Sequence, residues 1–219
     1  MAGLRVAVLA SGGGSNLQAL LDHSRDPGAG FEVVLVISNK PDAGALARAR
    51  RAGARVETIR GDGQDQERLL SLLAEAGADL VVLAGYLKLV PQEVVGAYRG
   101  RMINIHPALL PAFGGPGMYG HRVHEAVLAS GARVSGPTVH VVDEIYDHGA
   151  VLAQWPVPVL RDDTAETLAA RILEAEHRLL PAVVRAWAKC GSASALSLAA
   201  PSFVPSPSLP PTFDDALAG

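Results

Sequence analysis

The chain has 219 residues, 49% apolar and 19% charged, with 22 acidic against 19 basic side chains for a net charge of −3. That balance supports a sizeable core and excludes global disorder. It offers no electrostatic basis for wrapping nucleic acid or for binding an anionic membrane. A lone cysteine, Cys190, excludes an intrachain disulfide and any CxxC pair, and suits a reducing, cytoplasmic setting.

The first apolar run, Leu4–Ala10, ends in glycines and predicts a buried strand. Its uninterrupted apolar part, Val6–Ala10, is too short for a signal peptide's apolar region, and no run in the chain reaches the ~18 residues of a spanning helix. Helix is predicted over Ser15–His23, strand over Phe31–Ser38, and helix over Ala43–Ala52, where Gly53 suits a C-terminal cap. Strand 55–59, helix 64–76 and strand 79–84 follow, then a short helix near Pro91 and a strand over Met102–His106 stopped by Pro107. Residues 123–130 read as helix. Val134–Val142 and Val151–Val159 read as two strands, and Thr164–Lys189 as a long helix with Asp163 as N-cap and Glu166 completing a capping box.

Alternation of five strands with helices predicts an α/β, Rossmann-like domain over 1–189. Its mostly parallel central sheet has helices on both faces, with antiparallel addition from the two C-terminal strands. Residues 190–219 contain no Lys, Arg or His but five of the 15 prolines, and read as an extension.

The segment ASGGGSNL follows the first strand and opens the first helix. Glycines permit a tight turn, and free N–H groups at a helix start favour an anion. Either a tight turn or a mononucleotide or sugar-phosphate site fits. The dinucleotide fingerprint is incomplete, because Leu17 stands at the third glycine position and no acid ends the second strand. Within MINIHP, alternation puts Asn104 and His106 on one face. Two accounts fit them equally: hydrogen-bonded core residues, or an amide and an imidazole aimed at an oxygen that gains negative charge. Asp143, Glu144 and Asp147 are the carboxylates that could keep such an imidazole protonated, unless they are solvated loop charges. His121 and His124, at i and i+3, have a spacing compatible with metal binding, but no cysteine or carboxylate stands beside them in a known ligand spacing, so no metal is expected. Glu176 and His177 read as a solvated helix face.

The combination ASGGGSNLQALL, VISNK, VVLAGYLKLV, INIHPALLPAF and VHVVDEIYDHGAVLAQ resembles the phosphoribosylglycinamide formyltransferases over about Leu4–Trp187. These are folate-dependent enzymes of purine synthesis. NIHPALLP is shared across folate-dependent formyltransferases, whereas GSNLQ directly after the first strand is more selective. The resemblance implies formyl transfer from 10-formyltetrahydrofolate, the co-substrate, to the amine of glycinamide ribonucleotide, without a metal. It maps the catalytic trio onto Asn104, His106 and Asp147, a phosphate loop onto Gly14, Ser15 and Asn16, and ribose binding onto Glu176. The folate pocket maps onto Leu87, Lys88, Leu89 and Val90 and onto the loop from Asp143 through Glu144 to Asp147. The family's folate-contacting arginine has no direct counterpart in IRGDGQDQERLL, which leaves Arg60 as the candidate. Two further departures are a longer loop over residues 112–120 and His148 beside the aspartate, where a small residue is common. A monomer or homodimer acting on small molecules is expected, without nucleic acid or membrane. The same trio could also serve a sibling formyltransferase or a formyltetrahydrofolate hydrolase. A non-catalytic nucleotide-binding module is the alternative of another class.

Overall fold

The computed structural model describes residues 3–60 and 65–193. Most of the predicted extension, from residue 194 on, lies outside the described residues. Fifteen elements follow in chain order: β1 (Leu4–Leu9), α1 (Ser15–His23), β2 (Phe31–Ser38), α2 (Gly44–Ala52), β3 (Arg55–Thr58), α3 (Gln66–Glu75), β4 (Leu80–Leu83), α4 (Gln92–Ala97), β5 (Met102–His106), α5 (His121–Ala129), β6 (Val134–Ser135), β7 (Thr138–Val141), β8 (Val151–Gln154), β9 (Val157–Pro158) and α6 (Ala165–Cys190). Seven strands form one sheet in the order β3-β2-β1-β4-β5-β7-β8. The pairings from β3 through β5 are parallel, and β5–β7 and β7–β8 are antiparallel. Among the described residues no helix is long and apolar enough to cross a membrane.

The sheet is covered on both faces because its strands are apolar on both. Val6 and Val8 of β1, Leu80 and Val82 of β4, and Ile103 and Ile105 of β5 pack with α1, α2 and α6 through Leu17, Leu46, Leu179 and Trp187. The alternate residues Ala7, Leu9, Val81, Leu83 and Met102 meet Leu69, Leu72 and Leu73 of α3 and Val94 and Val95 of α4. Such period-two division between two cores is what a doubly covered sheet requires.

Two predicted strands are each broken in the structure. Residues 134–142 divide into β6 and β7 around Gly136-Pro137, and residues 151–159 divide into β8 and β9 around Trp155-Pro156. The breaks oppose one another: Trp155 N–H donates to the Pro137 carbonyl at 3.0 Å, and a Cβ on Gly136 would collide with the Trp155 carbonyl. Neither proline has an N–H for a ladder. The outer halves, β6 and β9, pair separately as a two-stranded sheet.

The N-cap of α6 also differs from expectation. Thr164, not Asp163, caps the helix: Thr164 Oγ1 accepts from Thr167 N–H, and Thr167 Oγ1 reciprocates toward the Thr164 N–H. Asp163 instead takes a bidentate pair from Arg171 at 2.7 Å and accepts the Leu160 N–H. Glu166 is therefore in the first turn but outside the box. Pro91 stands just ahead of α4 as its N-cap, and α5 begins two residues earlier than predicted, at His121.

Strand order reverses between β1 and β4, so the loops leaving these neighbours diverge and leave a crevice at their carboxyl ends. Ser11 ties the two loops together. Its N–H donates to the Gly85 carbonyl, its hydroxyl donates to Asn39 Oδ1 at 2.6 Å, and the same oxygen accepts the Leu87 N–H at 2.9 Å.

Candidate active site

A cavity of about 510 Å³ opens at this crevice, within the range of small-molecule sites. It brings together Asn16, Leu87, Lys88, Leu89, Val90, Asn104, His106, Asp143, Asp147 and Glu176. Four other candidates do not line it. Gly14 and Ser15 shape the loop behind Asn16. Glu144 turns outward and pairs with Arg99. Arg60 borders a separate cleft with Asn39, Thr58 and Arg68, and its backbone N–H donates to the Asp65 carboxylate.

Gly14 is the N-cap of α1 in left-handed conformation, at φ 75°. A Cβ there would lie 2.6 Å from Ala45 Cα, so both backbone angle and α2 demand glycine. Arg48 of α2 braces the same loop, donating from Nε to the Gly13 carbonyl at 2.8 Å. On the other wall, Glu176 is 7% exposed and accepts from Asn16 Nδ2 at 2.6 Å. It is not on a solvated face: it shares a helix side with Ile172, Leu179, Leu180 and Val183. Burial pushes its carboxyl up to about 7, against the opposing effect of the Asn16 hydrogen bond. A carboxyl raised on folding favours the protonated native state. Its contribution to stability is full below the unfolded value near 4.5 and is lost as pH rises through about 7. Glu176→Gln should therefore abolish a decline in unfolding free energy, on the order of 3 kcal/mol, between those pH values. Urea titrations of both proteins at pH 5 and pH 8 measure it; equal slopes with pH would refute it.

The reacting end is built by β5 and β7. Antiparallel register sets Asn104 opposite His140 and His106 opposite Thr138. Thr138 locks the turn after β5, donating to the Ala108 carbonyl at 2.6 Å and accepting the Leu110 N–H at 3.0 Å. His106, 3% exposed, has Nε2 at 2.9 Å from the Phe113 carbonyl and Nδ1 at 3.6 Å from Asp147 Oδ2. The Phe113 contact assigns the proton of neutral His106 to Nε2. Phe113 and Asp147 have φ of 56° and 54° respectively, the only non-glycine positive values among the described residues. Both strained residues touch the same imidazole, and strain of this kind collects at functional sites.

Asp147 is a hub. Its Oδ2 accepts the Gly115 N–H at 2.9 Å, and its Oδ1 lies 3.6 Å from His140 Nε2 and 3.5 Å from Asn104 Nδ2. Burial raises its carboxyl, but the His140 contact, the His106 charge and the Gly115 bond outweigh burial and hold it below the usual range. His106 departs from expectation. Burial lowers it, Asp147 and the Phe113 bond raise it, His140 lowers it further, and the net direction is downward. The carboxylate therefore does not keep the resting imidazole protonated; desolvation wins. His140 was not among the sequence candidates. Its Nδ1 is 2.9 Å from the Val141 carbonyl and its Nε2 is 3.0 Å from Asn104 Nδ2, so it orients the amide. His148, 65% exposed at its side chain, pairs at 2.8 Å with Asp143 rather than with Asp147.

Among the described residues lining the cavity, the large apolar side chains of Leu87, Leu89, Tyr119, Ile145 and Tyr146 are about half exposed. Exposed apolar side chains gathered on a cleft mark a binding surface.

Residues 4–184 match the formyl transferase family. The chain is 48% identical over 188 residues to a protein of Arabidopsis thaliana named phosphoribosylglycinamide formyltransferase, chloroplastic; the match covers 83% of this chain and 64% of that one. It is 37% identical over 186 residues to phosphoribosylglycinamide formyltransferase of Escherichia coli (strain K12), covering 83% and 85% respectively. Among solved structures, glycinamide ribonucleotide transformylase 1 from Symbiobacterium toebii superposes with a TM-score of 0.80 at 41% identity, covering 85% of this chain and 88% of that one. The chain spans less than two thirds of the plant relatives' length.

Proposed function

The chain belongs to the formyl transferase family, and from that premise we propose that it transfers a formyl group from 10-formyltetrahydrofolate to the amine of glycinamide ribonucleotide. One observation carries the proposal. An amide, an imidazole and a carboxylate from β5 and the loop after β7 share one cavity with a buried acid and with Asn16, the first residue after the glycine loop to line it. The exposed apolar lining of Leu87, Leu89, Tyr119, Ile145 and Tyr146 suits a flat heteroaromatic donor. Asn16 and the loop behind it suit the phosphate, and Glu176 suits the ribose hydroxyls. We assign the chemistry to a reducing compartment, in keeping with the lone cysteine.

The donor supplies an electrophilic formyl carbon. Attack by the neutral amine forms a C–N bond and places negative charge on the formyl oxygen. Asn104 meets that charge: its Nδ2 donates one proton to His140, while the 3.5 Å contact to Asp147 is too long to commit the second. Neutral His106, with its proton on Nε2, offers the Nδ1 lone pair, where a proton from the amine would create an imidazolium facing Asp147. Departure of the folate nitrogen breaks the old C–N bond, and that nitrogen takes a proton. Nothing in this sequence requires a covalent bond to the chain.

Purified protein incubated with both substrates should give formylated ribonucleotide and tetrahydrofolate in equal amounts. Formate released without acceptor would indicate a hydrolase, and tight nucleotide binding without turnover would indicate a binding module. Either result overturns the proposal.

A further inference from the structure

Among the described residues, two that line the cavity have a buried side-chain atom with no hydrogen-bond partner: Asn16, at Oδ1, and His124, at Nδ1. Asn16 already has a place at the acceptor end, where its Nδ2 donates to Glu176. His124 has no task in the chemistry above. It is 5% exposed and lies in the first turn of α5, between the fully buried Val123 and the core-facing Val127. The cavity wall beside it includes Ala169, Ala170 and Leu173 of α6, and the helical turn after Leu173 carries Glu176. The titratable groups whose charge it feels are His121 and His106. It thus stands between the diol end and the reacting end. Ser135 and His177 also have orphaned atoms but do not line the cavity.

Native proteins seldom leave a buried ring nitrogen unpaired, because an unpaired polar group is costly. Burial, reinforced by the two neighbouring imidazoles, pushes His124 down to about 4, so the ring is neutral near pH 7. A neutral imidazole has one donor and one acceptor. That pair does not favour a phosphate, which wants positive charge or several donors. The orphaned nitrogen, Nδ1, is donor or acceptor according to the tautomer, and so matches an uncharged group with an N–H or a C=O to offer.

We propose that His124 hydrogen-bonds the carboxamide joining the acceptor amine to the sugar, and so selects the acceptor. The proposal rests on the function assigned above. His124 is a specificity residue, not an acid or base.

His124→Phe keeps a ring in the wall and removes both polar nitrogens. It should raise KM for glycinamide ribonucleotide about tenfold or more. KM for the formyl donor should stay unchanged, and Tm should be equal or higher. His124→Gln, which restores a donor and an acceptor, should recover part of the loss. An acceptor with a methylene in place of the carboxamide carbonyl should be used equally well by wild type and His124→Phe. An unchanged KM, or the same penalty on both acceptors, overturns the proposal. Should the wild type make no product, the assigned function fails separately. Calorimetric binding of glycinamide ribonucleotide to wild type and His124→Phe still reads the contact, and equal Kd values reject it.

Discussion

Replacing His106 with alanine should lower kcat by about 10³-fold while leaving the fold intact, the largest single loss in the molecule. The group removed takes the proton of the attacking amine, a function worth roughly 10²–10⁴. The ring is 3% exposed, so truncation also leaves a small polar cavity and the Phe113 carbonyl without its donor. Some stability should be lost, on the order of 1–3 kcal/mol. His106→Gln separates the two effects, because its amide can still reach the carbonyl but cannot take a proton. Single-turnover rates in His106→Ala and His106→Gln, with Tm measured alongside, check this. A His106→Gln rate within tenfold of wild type would remove proton transfer from the role of this residue. Since His106 sits below the ordinary imidazole value, the wild-type rate should hold its plateau through neutral pH and fall only in acid.

Much of the scaffold for this chemistry can be read in the chain itself. β1, α1, β2 and β5 form where apolar runs meet glycine or proline, because burial and backbone breaks there act on the same residues. The antiparallel edge is less legible. The β-branched pattern continues across Gly136-Pro137 and Trp155-Pro156, so periodicity suggests two strands. The interruption comes from two backbones crossing, a contact between segments about 20 residues apart. Local spacing did contain a signal for Glu176, since Ile172, Leu179 and Val183 share its helical face. Charge alone suggested solvent, and the partner that makes burial tolerable, Asn16, lies 160 residues away.

His140 shows a different obstacle. It alternates with Thr138 on a strand whose pairing partner cannot be inferred from its own residues. Only the register of β5 against β7 sets it opposite Asn104, and only then does its Nε2 become the acceptor that orients the amide. Arg60 illustrates the converse: it borders a separate cleft with Asn39, Thr58 and Arg68. Proximity along the chain to a family motif does not by itself say which cleft a residue borders.

Asp147→Asn should reduce kcat/KM by about 10²–10³-fold at neutral pH and move the acid limb of the pH profile to lower pH. The substitution is unusually clean. Asparagine tolerates the positive φ of 54° better than other uncharged residues, and its amide oxygen can still accept the Gly115 N–H. What disappears is the negative charge 3.6 Å from His106 Nδ1. Near that separation, two unit charges at an effective dielectric of about 20 interact by roughly 4 kcal/mol. Such a difference in stabilising the imidazolium formed during turnover corresponds to about 10³ in rate; partial compensation by solvent sets the lower bound. The sign of the pH shift follows from the causes acting on His106. Asp147 raises that imidazole against burial, so without the carboxylate the ring protonates only at still lower pH. A structural role alone would lower Tm and leave the limb in place. The double variant adds a second constraint: with His106 absent, the carboxylate has no imidazolium to stabilise. His106→Ala with Asp147→Asn should then be no slower than His106→Ala alone. Losses that multiply instead would show that Asp147 acts on the reacting groups independently of the histidine.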